Sequence, residues 1–314
     1  MSKDNPVVII AGPTASGKSA LALDLADEFA GTIINADSMQ VYRELDILTA
    51  RPGADDEARA PHRLFGVMAA AAACSVGRWL GLAGAEIEAV WNDGRLPIVT
   101  GGTGMYLKAL TQGLAAVPEI PDDINAEVRA LYGELGGDAF REALAKLDAD
   151  AAHRLPAGDS QRLTRAMAVV KATGMTLAQW QSRQNQGPAI EARFMTIALV
   201  PGREALYAAT DARFEKMLAD GALDEVRALL ALGLDSKLPA MKALGVPELA
   251  RHLAGETGLE DATAEAKQAT RNFVKRQLTW LRNQVSADYV IEDFYGPAHR
   301  SDAAAAVRAF LAGA

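Results

Sequence analysis

The residues best placed to do chemistry stand together near the start of the chain. Gly12-Pro13-Thr14-Ala15-Ser16-Gly17-Lys18-Ser19 reads G-x-x-x-x-G-K-S, the spacing of a loop that cradles phosphate. So short a pattern does not decide the matter, and its flanks must. Val7-Val8-Ile9-Ile10 precedes it, a β-branched run suited to a strand buried on both faces. Behind it, Leu21, Leu25 and Phe29 recur at i, i+4 and i+8, one apolar face of a helix. A strand, a glycine loop and a helix gather backbone N–H groups and a helix N-terminus around one anion. In such a loop Lys18 neutralises the terminal phosphates and the Ser19 hydroxyl holds Mg²⁺. The chemistry predicted is binding of a polyphosphate or a diphosphate.

A second chemical stretch follows. Residues 31–36 read as a strand that ends in Asp37-Ser38-Met39-Gln40. Ligands of an open parallel sheet sit beyond the carboxyl ends of its strands, so Asp37 emerges on the same rim as the glycine loop. There its carboxylate holds a metal, takes a proton from an acceptor group, or caps the turn that follows. Residues 96–100 form a third buried strand that runs into Gly101-Gly102-Thr103-Gly104. The Thr103 hydroxyl either points at the ligand or caps the next helix.

Two segments suit a nucleic acid. In Asp159-Ser160-Gln161-Arg162-Leu163-Thr164-Arg165, Asp159 caps a helix whose first turn carries arginines, where backbone N–H groups already favour anions. The second runs from Lys267 to Arg282 without an acidic residue. At helical spacing Lys267, Arg271, Lys275 and Arg282 share one stripe, with Phe273 and Trp280 opposite. The expected helix packs by its aromatics and turns a basic face outward. A solvated face normally mixes its signs, so in a chain of net charge −8 this stripe favours a phosphate backbone.

The elements that carry these residues alternate strand and helix up to Pro118 and Pro121, with a helix at 77–92 and a short strand at 63–67. From there to residue 186 only helical periodicity is found; Leu144 and Leu147, then Leu163, Met167 and Val170, mark helix faces, and Gly174 ends the last. Asn185-Gln186-Gly187-Pro188 closes the block, and strands return at 194–200 and 289–291. The fold class predicted is α/β: a P-loop NTPase-like core, its parallel sheet flanked by helices, with an all-helical insertion. Its parts are residues 1–120, the insertion 121–186 that grips the nucleic acid, and residues 187–314, which complete the core.

Composition narrows the function classes. The chain has 314 residues, 32 basic and 40 acidic, so bulk charge does not announce a nucleic-acid binder. Cys74 is its one cysteine, which excludes a disulfide framework. His62, His153, His252 and His299 show no metal-ligand spacing. No apolar run reaches membrane-span length, and the first strand begins too early to leave room for a leader. A cytoplasmic, monomeric enzyme without a membrane partner is expected.

With these motifs in place, the chain resembles the bacterial tRNA dimethylallyltransferase family. The likeness rests on GPTASGKS, DSMQVY, TARP, PHRL, GGTG-MYLKAL, DSQRLTRA and TRNFVKRQLTWLR, in that order along nearly the whole chain. It implies transfer of a dimethylallyl group from dimethylallyl diphosphate to N6 of the adenosine 3′ of the anticodon, in tRNAs reading codons that begin with U, with Mg²⁺ as cofactor. It implies that Asp37 is the general base and that Thr103 and Arg213 join it in catalysis. Residues 12–19 take the diphosphate, with Ser19 on the metal. Asp37, Ser38, Met39, Gln40 and Thr103 meet the anticodon stem-loop, together with Gln161, Arg162, Leu163, Thr164 and Arg165 and with Arg271, Lys275 and Arg282. The chain departs from the family at Val246, where a tyrosine is usual, and at Ala209, where an arginine is usual. Three rivals remain, an isopentenyltransferase acting on free AMP or ATP, a small-molecule kinase and a non-enzymatic ATP-binding switch; the insertion and basic helix argue against the first.

Overall fold

A computed structural model describes residues 5–183 and 187–313; Asn185 and Gln186 of the closing turn lie outside them. The chain divides into two compact units, residues 1–112 with 188–314, and residues 113–187.

The larger unit is built on a six-stranded sheet of β1 (Pro6–Ala11), β2 (Gly31–Asn35), β3 (His62–Arg63), β4 (Leu96–Gly101), β5 (Arg193–Leu199) and β6 (Tyr289–Ile291). Their order is β3-β2-β4-β1-β5-β6, and every pairing is parallel. The β-branched runs suit this position, because both sheet faces are covered. Val7, Ile9 and Ala11 point into one apolar core, and Val8 and Ile10 into the other, as the two-residue period of a strand requires. On one face lie α1 (Lys18–Phe29) and α13 (Arg300–Leu311), the latter closing the chain. The other face is covered by α3 (Val76–Asn92) and α4 (Gly104–Gln112), with α9 (Arg203–Ala219), α10 (Ala222–Ala231), α11 (Val246–Leu253) and α12 (Leu259–Gln284) adding to its core. A short α2 (Ala54–Arg59) precedes β3. The third strand is shorter than the 63–67 expected, since Leu64 takes φ +64 and turns the chain out of the sheet.

The smaller unit is all helical: α5 (Asp122–Ala145), α6 (Ala149–Arg154), α7 (Ser160–Thr173) and α8 (Leu177–Ser182). It begins at Gly113, ahead of the expected residue 121, because Val117 and Ile120 pack into its core. Asp159 caps α7, accepting the Arg162 N–H, and Gly174 ends it at φ +70. Gly136 breaks α5 with φ +71, and Gly137 beside it has no room for a side chain, since a Cβ would stand 2.2 Å from the Ala157 carbonyl.

Two expectations fail here. Leu147 lies past the end of α5 and is 48% exposed, so it marks no helix face. Leu163, placed among the RNA-contacting residues, is fully buried in the helical core beside Phe140 and Leu144; at helical spacing, a leucine flanked by exposed Arg162 and Arg165 is the residue that faces inward. Truncating it should leave a cavity. Leu163→Ala should destabilise the helical unit by about 2–5 kcal/mol, read by hydrogen exchange of amides in residues 122–173. Normal protection combined with weakened RNA binding would return Leu163 to the RNA surface.

Candidate active site

The glycine loop follows β1 and holds a conformation few sequences tolerate. Ala15 lies at φ +63 and Gly17 at φ +96, left-handed values that cost a residue with a side chain roughly 1–2 kcal/mol. Such a run turns successive N–H groups toward one concavity. Gly12 must lack a side chain, because a Cβ there would stand 2.9 Å from Ser16 Oγ. Neighbours hold the loop in place. The Thr14 N–H donates to Gln277 Oε1 of α12 at 3.0 Å, and the Tyr295 N–H donates to the Ser16 carbonyl at 3.0 Å. The Ser16 hydroxyl is buried and has no partner among the described residues, which leaves hydrogen-bonding capacity inside the cradle.

Lys18 opens α1 and folds back, its Nζ donating to the Pro13 carbonyl at 2.6 Å. Burial pushes its ammonium down to about 8; Arg213 adds to the effect and Asp37 opposes it. Arg213 arrives from α9, and Nη2 donates to the Thr49 carbonyl at 3.4 Å. Burial also holds its guanidinium below the usual value, again against the pull of Asp37.

Asp37 is aimed by the residue at the end of β2. Asn35 is fully buried; its Oδ1 accepts the Asp37 N–H at 2.7 Å, and its Nδ2 donates to the Asp37 and Leu64 carbonyls at 3.0 Å each. Asp37 Oδ1 then accepts the Met39 N–H at 2.9 Å. The turn-capping role expected of this aspartate is therefore present on one oxygen. The carboxylate nonetheless borders both cavities of the site.

These cavities share Thr14, Asp37, Thr49 and Arg213 as lining residues. The smaller, about 180 Å³, runs past Lys18 and Ser19, with Gln40, Asp56 and His62 on its wall. The larger, about 250 Å³, is bounded by Met39, Leu48, Phe214, Met217 and Phe273, with Lys242 and Arg276 at its polar points. Gln40 is fixed by Nε2, which donates to the Thr49 and Ala50 carbonyls at 2.9 and 3.1 Å. Thr103 stands behind the lining: Oγ1 accepts the Ser38 N–H at 2.9 Å and lies 3.2 Å from Ser38 Oγ. It positions Ser38, which does line the larger cavity.

For a metal, hydroxyl and carboxylate oxygens are available on the smaller cavity at Ser19, Asp37 and Asp56. Among the described residues no group of three or more His, Cys, Asp or Glu side chains gathers as a metal site. Hard oxygen donors in so small a number suit Mg²⁺, which takes most of its ligands from water and substrate phosphates.

The late basic helix is rearranged relative to expectation. Lys267 and Arg271 pair with Glu215 and Asp211 of α9, the latter pair at 2.6 Å, so these cations hold two helices together. Lys275 and Arg282 are exposed. Val274, Gln277, Leu278 and Leu281 make the buried face of α12, while Phe273 turns into the larger cavity with the Arg276 guanidinium 5.6 Å from its ring. The helix thus packs by its aliphatics together with Trp280, as expected of that aromatic, and spends the other, Phe273, on the site. The basic stripe gives no sign that Lys267 and Arg271 are paired, because their acidic partners on α9 lie far away along the chain, and nothing in the pattern marks Arg276 or Gln277 as site residues. On α7, Gln161, Arg162 and Arg165 are exposed, and Arg162 pairs with Asp159 at 3.5 Å; the Thr164 hydroxyl turns back to the Ser160 carbonyl at 2.7 Å. Val246 is 1% exposed and packs into the core, so this position offers no surface to a ligand.

A family model described as IPP transferase matches residues 40–284, and one described as isopentenyl transferase matches residues 5–66. The chain belongs to the tRNA dimethylallyltransferase family. Curated members from Rhodospirillum centenum and Paramagnetospirillum magneticum are each 54% identical, over 91% of this chain and 91% and 90% of theirs. The full-length tRNA isopentenylpyrophosphate transferase of Bacillus halodurans has a crystal structure that matches with a TM-score of 0.70 at 29% identity, covering 99% of this chain and 96% of that one. A eukaryotic dimethylallyltransferase solved acting on tRNA matches with a TM-score of 0.79 at 25% identity, over 97% of this chain and 77% of the other. Members of this family are prenyltransferases, and this chain is an enzyme of that class.

The electrostatics of the site can be tested without any ligand. In the free protein the Lys18 ammonium should titrate near 8, followed by the NMR shift of its Cε. Asp37→Asn removes the charge that raises this value and should move it lower, whereas Arg213→Ala should move it higher. Shifts of opposite sign, or none, would show that the three groups do not share one environment.

Proposed function

We propose that the chain transfers the dimethylallyl group of dimethylallyl diphosphate to N6 of the adenosine 3′ of the anticodon, in tRNAs reading codons that begin with U. The observation that carries the reading is that Thr14, Asp37, Thr49 and Arg213 border two cavities at once. One is polar and opens on the glycine loop; the other is largely apolar with cations at its edge. A two-substrate transfer needs this arrangement, with the reacting atoms meeting where the cavities do.

The diphosphate lies in the smaller cavity on the loop amides, with Lys18 and Arg213 against its oxygens. Ser19 holds magnesium there, and the ion when bound neutralises charge on the leaving diphosphate. The acceptor adenine leaves its stack and enters the larger cavity, which is the route by which enzymes reach base atoms. Phe273 and Arg276 offer it a stacking surface and a cation. The allylic C–O bond then breaks with its electrons going to the diphosphate, and the N6 lone pair forms the new N–C bond. Asp37 accepts the N6 proton. Lys18 and Arg213 stabilise charge where it grows, and Met39, Leu48 and Phe214 keep water from the cationic carbon. Gln40 lies on the wall of the smaller cavity, where its amide holds the Thr49 and Ala50 carbonyls at the seam. Exposed Gln161, Arg162 and Arg165 on the helical unit, and Lys275 and Arg282 on α12, hold the stem-loop backbone.

Labelled dimethylallyl diphosphate offered to tRNA, AMP and hydroxyl acceptors should place label in tRNA alone, recovered on N6 of one adenosine after nuclease digestion; label in AMP would overturn the RNA reading. Asp37→Asn should lower the single-turnover rate by about two to four orders of magnitude, with affinities for both substrates little changed. Near-normal chemistry would leave Asp37 as a turn cap.

The rearranged α12 makes a second prediction. Replacing Lys275 and Arg282 with alanine should flatten the slope of log affinity for tRNA against log salt by about one to two units. Arg271→Ala should leave that slope alone, because Asp211 already neutralises this guanidinium. An equal loss of slope in both would put Arg271 on the RNA.

A further inference from the structure

Gln277 sits about two turns before the end of α12, 6% exposed, and both ends of its amide are engaged. Oε1 accepts the Thr14 N–H at 3.0 Å and Nε2 donates to the Gly102 carbonyl at 3.1 Å. These partners belong to the loops that leave β1 and β4. The two strands are paired only as far as Ala11 and Gly101. Beyond that point the Gln277 amide stands in for the next rung of the ladder, joining one loop to the other.

The fit around it is tight. A Cβ on Gly102 would stand 2.1 Å from Gln277 Nε2, and one on Gly104 would stand 2.3 Å from the Trp280 indole. The Thr14 N–H, spent on Gln277, is also directed away from a bound anion, so the cradle proper begins at left-handed Ala15. Gln277 borders the smaller cavity with its flank, but its polar atoms go to backbone.

We infer that Gln277 is a positioning residue for the diphosphate grip, acting through the Thr14 backbone and not on the substrate. The inference rests on the diphosphate reading of the smaller cavity. Without the side-chain amide, a part-buried N–H and a part-buried C=O lose their partners, and the loop relaxes out of the strained curl in which its remaining amides converge. The same helix presents Lys275 and Arg282 outward, so a loss confined to the inner grip separates the two duties.

The test uses Gln277→Met, similar in length with no hydrogen bond, and Gln277→Glu, which keeps an acceptor for Thr14 but loses the donor to Gly102. Calorimetry in magnesium buffer gives Kd for inorganic pyrophosphate and, separately, for tRNA. Gln277→Met should weaken pyrophosphate binding about tenfold and leave tRNA affinity unchanged, and Gln277→Glu, whose carboxylate faces the Gly102 carbonyl and the anion cavity, should weaken it at least as much. A second cycle guards against a variant that fails to fold. Gly102→Ala alone should weaken pyrophosphate binding, but added to Gln277→Ala it should cost nothing more, because the atom it strikes is gone. Wild-type pyrophosphate affinity in Gln277→Met, or full additivity of Gly102→Ala and Gln277→Ala, overturns the inference and leaves the diphosphate reading intact. Failure of the wild-type protein to bind pyrophosphate removes that reading and the inference with it.

Discussion

Lys18, Asp37 and Arg213 share one partly enclosed site, and most of the larger unit can be understood as what it takes to hold them there. Removing charges from water is costly unless each has partners, and here one carboxylate faces two cations. The shortfall shows in the cations themselves. Burial lowers both, and the Asp37 charge opposes that lowering without cancelling it. The site is therefore short of negative charge, which a diphosphate bound as proposed would supply. Each of the three side chains comes from a different element: the start of α1, the end of β2 and the middle of α9. Only the parallel sheet order that sets β1 beside β4 and β4 beside β2 brings the first two to one rim.

α12 shows how one helix serves several purposes by face. Its aliphatic side completes the core, Lys267 and Arg271 tie it to α9, and Phe273 and Arg276 border the larger cavity. Tying α12 to α9 also bears on the chemistry, because α9 delivers Arg213. The loop at residues 46–51 is handled similarly. The Glu225 carboxylate of α10 accepts the N–H groups of Asp46, Ile47 and Leu48, and the Thr49 carbonyl so placed receives both Gln40 and Arg213. Much of the geometry at the seam between the cavities thus rests on side chains that never reach it.

The sequence revealed the parts whose causes are local. A β-branched run, a glycine loop and an apolar helical face predict β1, its loop and α1 from neighbouring residues, and Asp37 follows because the strand before it is recognisable. Residue types alone did not reveal partners distant along the chain. The stripe through Lys267 and Arg271 reads as a free basic face until Glu215 and Asp211 are found opposite it, on another helix. Gln277 and Asn35 look like ordinary polar residues, yet both are buried amides that hold backbone. Thr103 was expected on the ligand and instead holds Ser38, a distinction of one side-chain length that no spacing rule resolves. Leu163 reads two ways: its spacing with Met167 and Val170 marks the helix face that is indeed buried, while its place in the charged motif groups it wrongly with the residues that meet RNA.

Bound as proposed, the donor would set its allylic carbon between the glycine loop and Asp37, at the residues both cavities share. The most direct measurement is a crystal structure of the protein with magnesium and an unreactive thio-analogue of dimethylallyl diphosphate. The diphosphate should lie on the amides of Ala15 to Ser19 with Lys18 and Arg213 against it, and the allylic chain should point past Thr14 toward Asp37 and the cavity of Phe214 and Phe273. A diphosphate seated with its chain directed away from Asp37, toward His62 and Phe65, would contradict the assignment of both cavities and of the base.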